Sequence, residues 1–192
     1  MVPKILVFPG STRAGSLNAR LAARAVKELH QAGAEVTWIS LLDYAMPLYD
    51  SELDTKFGPP ENAIKLKRLM MTHQGVFITT PEHNASFPPL LMNTLDWISR
   101  VRDRNEPLRA AFQNRAFALG AATNRATGGL YALLALRQML EIGCNALVIP
   151  HQIAVPRASE AFDESDDLRD ENARDQLQRV VQQLIEMAQD MA

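Results

Sequence analysis

One cysteine, Cys144, is all that the 192 residues contain, so no disulfide can close within the chain and no cysteine-rich metal site can form. A lone thiol of this kind suits packing in a reducing compartment. An excess of either charge is also missing. Lysine and arginine number 20 against 22 acids, a net of −2, and no basic stripe with interleaved aromatics appears, so no nucleic-acid partner is expected. Long apolar runs are absent as well. The run that begins at Gly129 ends at Arg137, far short of the roughly 20 residues that span a bilayer, and residues 5–8 are too few for the ~7–15-residue core of an export signal. These absences predict a soluble, cytoplasmic protein with no membrane partner. His30, His73, His83 and His151 fall on four separate segments without HxxxH or HExxH spacing, so no metal site is expected, and the lack of GxSxG excludes a nucleophile elbow.

A chain of this length that is 47% hydrophobic and 22% charged has the composition of one globular domain, here residues 1–192. Short β-rich runs alternate with helical periodicity along it. Strands are predicted at 4–8, 35–40, 75–80, 116–120 and 146–149. Helices are predicted from Leu17 to about Leu29, then over 61–73, 88–100 and 129–142. A last one carries Leu177, Val180, Val181, Leu184, Ile185 and Ala188 on one stripe. Prolines and scattered acids make 41–60 read as a long surface loop. The alternation predicts an α/β fold, a three-layer doubly wound parallel sheet of five strands, for which 2-1-3-4-5 is the commonest order. In such sheets ligands sit beyond the carboxyl ends of the strands, so the loops after strands one, three and four should share a crevice.

The loop after strand one, Pro9 to Asn18, packs hydroxyls, small residues and Arg13 just before a helix start. That composition suits a phosphate, which helix-start N–H groups and a guanidinium fork would bind. It is neither a Walker A loop nor GxGxxG, and a plain Ser/Asn helix cap is the competing reading. After strand three, Thr79 to Pro89 offers a rigid exit at Pro81 and small residues that let a flat ring approach the main chain. Here the competing reading has Glu82 and Ser86 capping the next helix and His83 merely on the surface. After strand four, Thr123 and the Gly128-Gly129 pair are candidates, with the glycines serving equally well as turn formers.

With GSTRAGSLN after strand one and PEHNASFPPLLMNTLDWISR after strand three, the chain resembles the NADPH-dependent FMN reductase family of flavodoxin-like fold over about its first 150 residues. Matching positions are Gly10, Ser11, Arg13, Ser16 and Asn18 in the first motif. In the second they are Pro81, Glu82, Asn84, Ser86, Pro88, Leu91, Asn93, Asp96, Trp97 and Arg100. The resemblance implies that Ser11, Arg13, Ser16 and Asn18 hold the FMN phosphate with Leu17 among them. It also implies that Pro81, Glu82, His83, Asn84 and Ser86 line the isoalloxazine ring, and that Thr123 and Gly128 approach it from the third loop. The chain departs from the family at His83, where tyrosine is usual, at Ala85 for glycine and at Met92 for lysine. A histidine there changes charge near neutral pH, and a Cβ at 85 intrudes on a close approach.

The implied reaction takes hydride from NADPH onto FMN and passes electrons to a small acceptor, a flavin, quinone, azo compound or metal oxyanion, with ping-pong kinetics. Two alternatives stand beside it: an FMN-binding electron carrier without NADPH activity, for which a charge of −2 is too weakly acidic, and a family member that binds no flavin. Relatives of this family are dimers or tetramers, so a homodimer or homotetramer is implied. The predicted helix over 129–142, apolar round most of its circumference, would pack on a partner subunit, and Asp96, Trp97 and Arg100 would serve an interface.

Overall fold

The computed structural model describes residues 2–102 and 105–191. Its sheet is built from β1 (Lys4–Pro9), β2 (Glu35–Trp38), β3 (Gly75–Thr80), β4 (Ala116–Ala122) and β5 (Leu147–Val155), in the order β2-β1-β3-β4-β5. Every pairing is parallel. The helices are α1 (Leu17–Gln31), α2 (Ser51–Phe57), α3 (Glu61–Met71), α4 (Pro89–Arg100), α5 (Leu130–Gln138), α6 (Ala158–Ala161) and α7 (Glu171–Gln189). This is the doubly wound, three-layer arrangement that the alternation predicts.

The two-residue period of a strand explains the layers. Ile5, Val7 and Phe77 point to one face, where Leu21, Ala25 and Leu29 of α1 and Val180, Val181 and Leu184 of α7 cover them. Leu6, Phe8, Val76 and Ile78 point to the other, beneath Leu66 and Met70 of α3, Leu91 and Leu95 of α4 and Leu133 and Leu136 of α5. Because both faces are covered, β3 and β4 are buried along their whole length. Small residues dominate β4 because the helices press close. A Cβ at Gly120 would lie 3.1 Å from Ile153 Cγ2 and 3.2 Å from Leu21 Cδ2.

Three expectations need correction. The fifth strand does not stop at 149 but runs on through Pro150 to Val155. Proline is tolerated because β5 is an edge strand, and the register slips there, with Phe117 opposite Val148 but Leu119 opposite Gln152. The open edge is covered by Arg137, whose guanidinium donates to the carbonyls of Ile149 (2.8 Å) and Val148 (3.4 Å). Second, the segment 41–60 is not all loop. A 3₁₀ turn occupies Leu41–Tyr44, and α2 starts where Asp50 Oδ1 accepts from the N–H groups of Glu52 and Leu53 and ends at Gly58 (φ 73). Third, the helix predicted over 129–142 is α-helical only to Gln138 and continues as a π turn, Met139–Gly143.

Trp97 also departs from expectation. It is fully buried within its own chain, where its indole N–H donates to the Pro47 carbonyl (2.7 Å) and Tyr49 meets it edge-on. Asn93 donates to the same carbonyl and accepts from Tyr49 N, and Arg100 lies over the Tyr49 ring. Asn93, Trp97 and Arg100 of the second motif thus clamp the 41–60 segment onto α4. Cys144 packs beside Met139, and burial pushes its thiol up to about 11, so it is not a nucleophile at neutral pH.

Candidate functional site

The carboxyl ends of β1, β3 and β4 open into one cleft of about 570 Å³, a size suited to a cofactor-sized ligand. Its first wall is the β1–α1 loop. Gly10 must be glycine because a Cβ would lie 2.9 Å from Leu91 Cδ2 and 3.3 Å from the Thr79 carbonyl, to which Gly10 N–H already donates. The loop then turns through Gly15 (φ 67), and Ser16 caps α1 by accepting from Ala19 N. Ser11, Arg13, Ser16, Leu17 and Asn18 all line the cleft, as the motif implies, together with Thr12. Thr12 was open to prediction, since it stands between two chosen positions of the same loop. Arg13 is exposed, and among the described residues its guanidinium has no partner. The free first-turn N–H groups of α1 lie at the same wall, so positive potential converges there.

Asn18 does something the motif does not reveal. Its side-chain amide donates to the Ala122 carbonyl (3.0 Å) and accepts from Ala122 N–H (2.9 Å), extending the last rung of β4. Its own carbonyl accepts from Thr79 Oγ1 (2.8 Å). The side chain is therefore committed to β4 and the backbone carbonyl to β3, which leaves only the backbone N–H of Asn18 for a ligand.

The second wall is the loop after β3. Pro81, Glu82 and His83 line the cleft, and Pro88, Pro89 and Leu90 from the start of α4 extend it as an apolar surface. His83 and Ser86 exchange backbone hydrogen bonds (2.8 and 3.0 Å) across Asn84 (φ 50) and Ala85 (φ 60), a two-residue type I′ turn. Asn84 stands at its exposed tip, and Ser86 borders a neighbouring groove with Met92, Met139 and Ile142, so neither lines the cleft. Ala85 sits where an L side chain is strained, and Ala85→Gly should stabilise the protein by about 1 kcal/mol. Equilibrium urea unfolding checks this through a raised midpoint at unchanged slope.

Glu82 is the other surprise. Its carboxylate is almost wholly buried and accepts from the backbone N–H groups of Tyr131 (3.2 Å) and Ala132 (3.4 Å), so it caps α5 across the fold. The capping role anticipated for it concerned the adjacent helix, α4. Nothing local signals a partner 49 residues away.

The third wall is the end of β4. Thr123 and Asn124 line the cleft, Thr123 Oγ1 is buried without a hydrogen-bond partner, and Asn124 Oδ1 accepts from Ser159 N–H. Gly128 does not reach the cleft. It turns the chain at φ 63, and a Cβ on it would fall 2.9 Å from backbone atoms of Ala154 and Pro156, while one on Gly129 would fall 2.6 Å from Ala121 Cβ. Both glycines serve the close passage of α5 over the sheet. Among the described residues no group of His, Cys, Asp and Glu side chains could hold a metal ion, and no helix is long and apolar enough to cross a membrane.

The cleft thus has an anion-attracting end and a flat apolar flank. A phosphate-bearing group with a planar ring system fits this polarity, and the orphaned Thr123 hydroxyl and the unpartnered Arg13 are the groups left to satisfy. Over residues 3–160 the chain matches the family described as NADPH-dependent FMN reductase. It is 35% identical to the quinone reductase of Escherichia coli over 102 residues, which are 53% of each protein, so it spans about half the length of such curated relatives. It is 29% identical to an NAD(P)H-dependent FMN reductase of Pseudomonas aeruginosa over 94% of this chain and 92% of that one. The solved structure of the flavoenzyme NAD(P)H:(acceptor) oxidoreductase FerB from Paracoccus denitrificans superposes with a TM-score of 0.79 at 22% identity, covering 99% of each chain. That likeness shows the fold.

Proposed function

The chain belongs to the NADPH-dependent FMN reductase family, and we propose that it is an NAD(P)H-dependent oxidoreductase that holds FMN in the cleft and reduces a small planar acceptor. One observation carries the assignment: an unpartnered guanidinium, two hydroxyls and a helix start meet at one end of a cleft whose flank is proline and leucine. Bound FMN would supply the redox chemistry, taking hydride from NAD(P)H and releasing electrons to the acceptor.

In this reading Arg13 forks onto the phosphate, Ser11 and Thr12 donate to it, and the N–H groups of Leu17 and Asn18 add the field of α1. Ser16 and Asn18 act through their backbone and by fixing the loop. Pro81 and His83 flank the ring system, with His83 exposed at the rim and able to donate a hydrogen bond. Asn84 and Ser86 shape the turn that presents His83. The apolar flank favours a flavin, quinone or azo compound over a metal oxyanion, in keeping with the quinone reductases among the relatives. A reaction fed by a soluble nucleotide is in keeping with a cytoplasmic protein.

Donor and acceptor share one mouth, so they bind in turn. Initial rates with NADPH and a benzoquinone varied together should give parallel double-reciprocal lines. Intersecting lines would show a ternary complex and contradict the shared mouth.

The outward face of α5 and its π turn leaves Leu130, Tyr131, Leu134 and Ile142 exposed, the last by 76%. Exposed apolar side chains grouped along one helix in this way are covered in a homodimer or homotetramer. Light scattering of the eluting protein should report an oligomer that Leu134→Glu reduces to a monomer of unchanged helicity. A monomeric wild type would contradict this.

A further inference from the structure

At the other end of the sheet, between the amino ends of β4 and β5, lies a second cavity of about 580 Å³. Arg115, the residue immediately before β4, lines it and is only 5% exposed. One nitrogen, Nη1, donates to the carbonyls of Ala111 and Ala110, which close the 3₁₀ turn Ala110–Phe112. Nε is sealed from water and has no partner. Among the described residues no carboxylate comes within ion-pairing distance. Burial holds the guanidinium's pKa down to about 10, yet it stays charged at neutral pH.

A buried charge without a counter-charge is costly, and nearby groups do not supply one. His73 hydrogen-bonds the Leu69 carbonyl and Thr37 Oγ1, and burial lowers its pKa below the ordinary histidine range, so it is neutral at neutral pH and supplies no counter-charge. Glu35 pairs with Lys4 (3.4 Å). Asp190 borders the same cavity but makes no ion pair with Arg115. The remaining polar lining is amide: Gln113, Asn114 and Asn145. Asn114 (φ 57) and Asn145 (φ 56) both hold left-handed backbone conformations at the mouth, which fixes where those amides stand.

We propose that this cavity is a second ligand site, specific for a small oxyanion, phosphate or carboxylate, that supplies the missing counter-charge to Arg115. Nη2 makes no hydrogen bond among the described residues and, unlike Nε, is not sealed from water, so it is the nitrogen left for an oxyanion, and amide N–H₂ groups complete such a shell. The site faces away from the flavin cleft, so it binds independently of the proposed reaction.

The test is a thermal melt of the FMN-saturated protein against millimolar orthophosphate and, separately, succinate, each compared with chloride at equal ionic strength. The expected result is a rise in Tm that grows with the logarithm of anion concentration, larger for whichever class the site serves. Arg115→Gln should weaken the apparent affinity about ten- to a hundredfold. Asp190→Asn, an exposed change that does not threaten folding, should strengthen it by removing a carboxylate that, alone among the described residues, lines the cavity. Arg13→Ala should leave the response in place. The proposal is overturned if chloride gives the same rise, if Arg115→Gln keeps the full response, if Asp190→Asn leaves the affinity unchanged or weaker, or if Arg13→Ala abolishes it. The last outcome would assign the anion to the flavin cleft.

Discussion

Replacing Arg13 with alanine should weaken FMN retention about a hundredfold while leaving the stability of the cofactor-free chain at the wild-type value. The guanidinium has no partner among the described residues and stands exposed, so its loss removes nothing from the fold. A charge-assisted fork onto a phosphate, by contrast, is about 1.5–3 kcal/mol per hydrogen bond, and two such bonds account for the loss even after partial compensation by the helix start. Arg13→Lys should recover only part of it, because an ammonium supplies the charge without the paired geometry. Equilibrium dialysis reads the affinity, and urea unfolding of the apoprotein reads the stability. A variant that retained FMN as tightly as wild type would remove the phosphate end from the cleft.

Asn18→Ala should have the opposite signature, a loss of about 2–5 kcal/mol from the apoprotein. The substitution orphans both the N–H and the C=O of Ala122 in a site where Asn18 itself is only 3% exposed, and each unsatisfied group costs about 1–3 kcal/mol. The helix itself does not lose by the change, since alanine is the better helix former. Asn18→Asp separates the two bonds. It can still accept from Ala122 N–H, but it sets a carboxylate against the Ala122 carbonyl and beside the proposed phosphate, so stability and retention should fall together. If Asn18→Ala unfolded at the wild-type midpoint, the amide bridge would have no energetic weight.

These two residues show what a sequence displays and what it hides. Arg13's place at the cleft is legible because it depends on a local pattern: a strand end, a run of hydroxyls and small residues, and a helix start within ten positions. The layers of the sheet were legible for the same reason, since Ile5, Leu6, Val7 and Phe8 state their two faces by alternation alone. Asn18 and Glu82 sit in motifs that mark them as important, but their side chains act on partners 104 and 49 residues away, and no local pattern encodes such a pairing. Pro150 misled for a related reason. Proline excludes a central strand, and only the sheet order tells that β5 is at the edge, where its register with β4 slips. The short helix α2 was the exception. Asp50 and Gly58 are residue types that start and stop a helix, but the prolines around them read as loop, and the segment is held by Asn93 and Trp97 from another helix.

Ala85 and His83 are linked through the turn after β3. The strained turn positions His83 at the rim, and relaxing it with glycine raises stability while loosening the imidazole that flanks the proposed ring site.

Anaerobic addition of NADPH to the purified protein saturated with FMN and freed of excess by gel filtration tests the central assignment most directly. The account predicts that the flavin absorbance co-elutes with the protein, bleaches on addition of NADPH and returns on addition of a benzoquinone. Flavin that elutes apart from the protein, or a bound band that NADPH leaves unchanged, would contradict it.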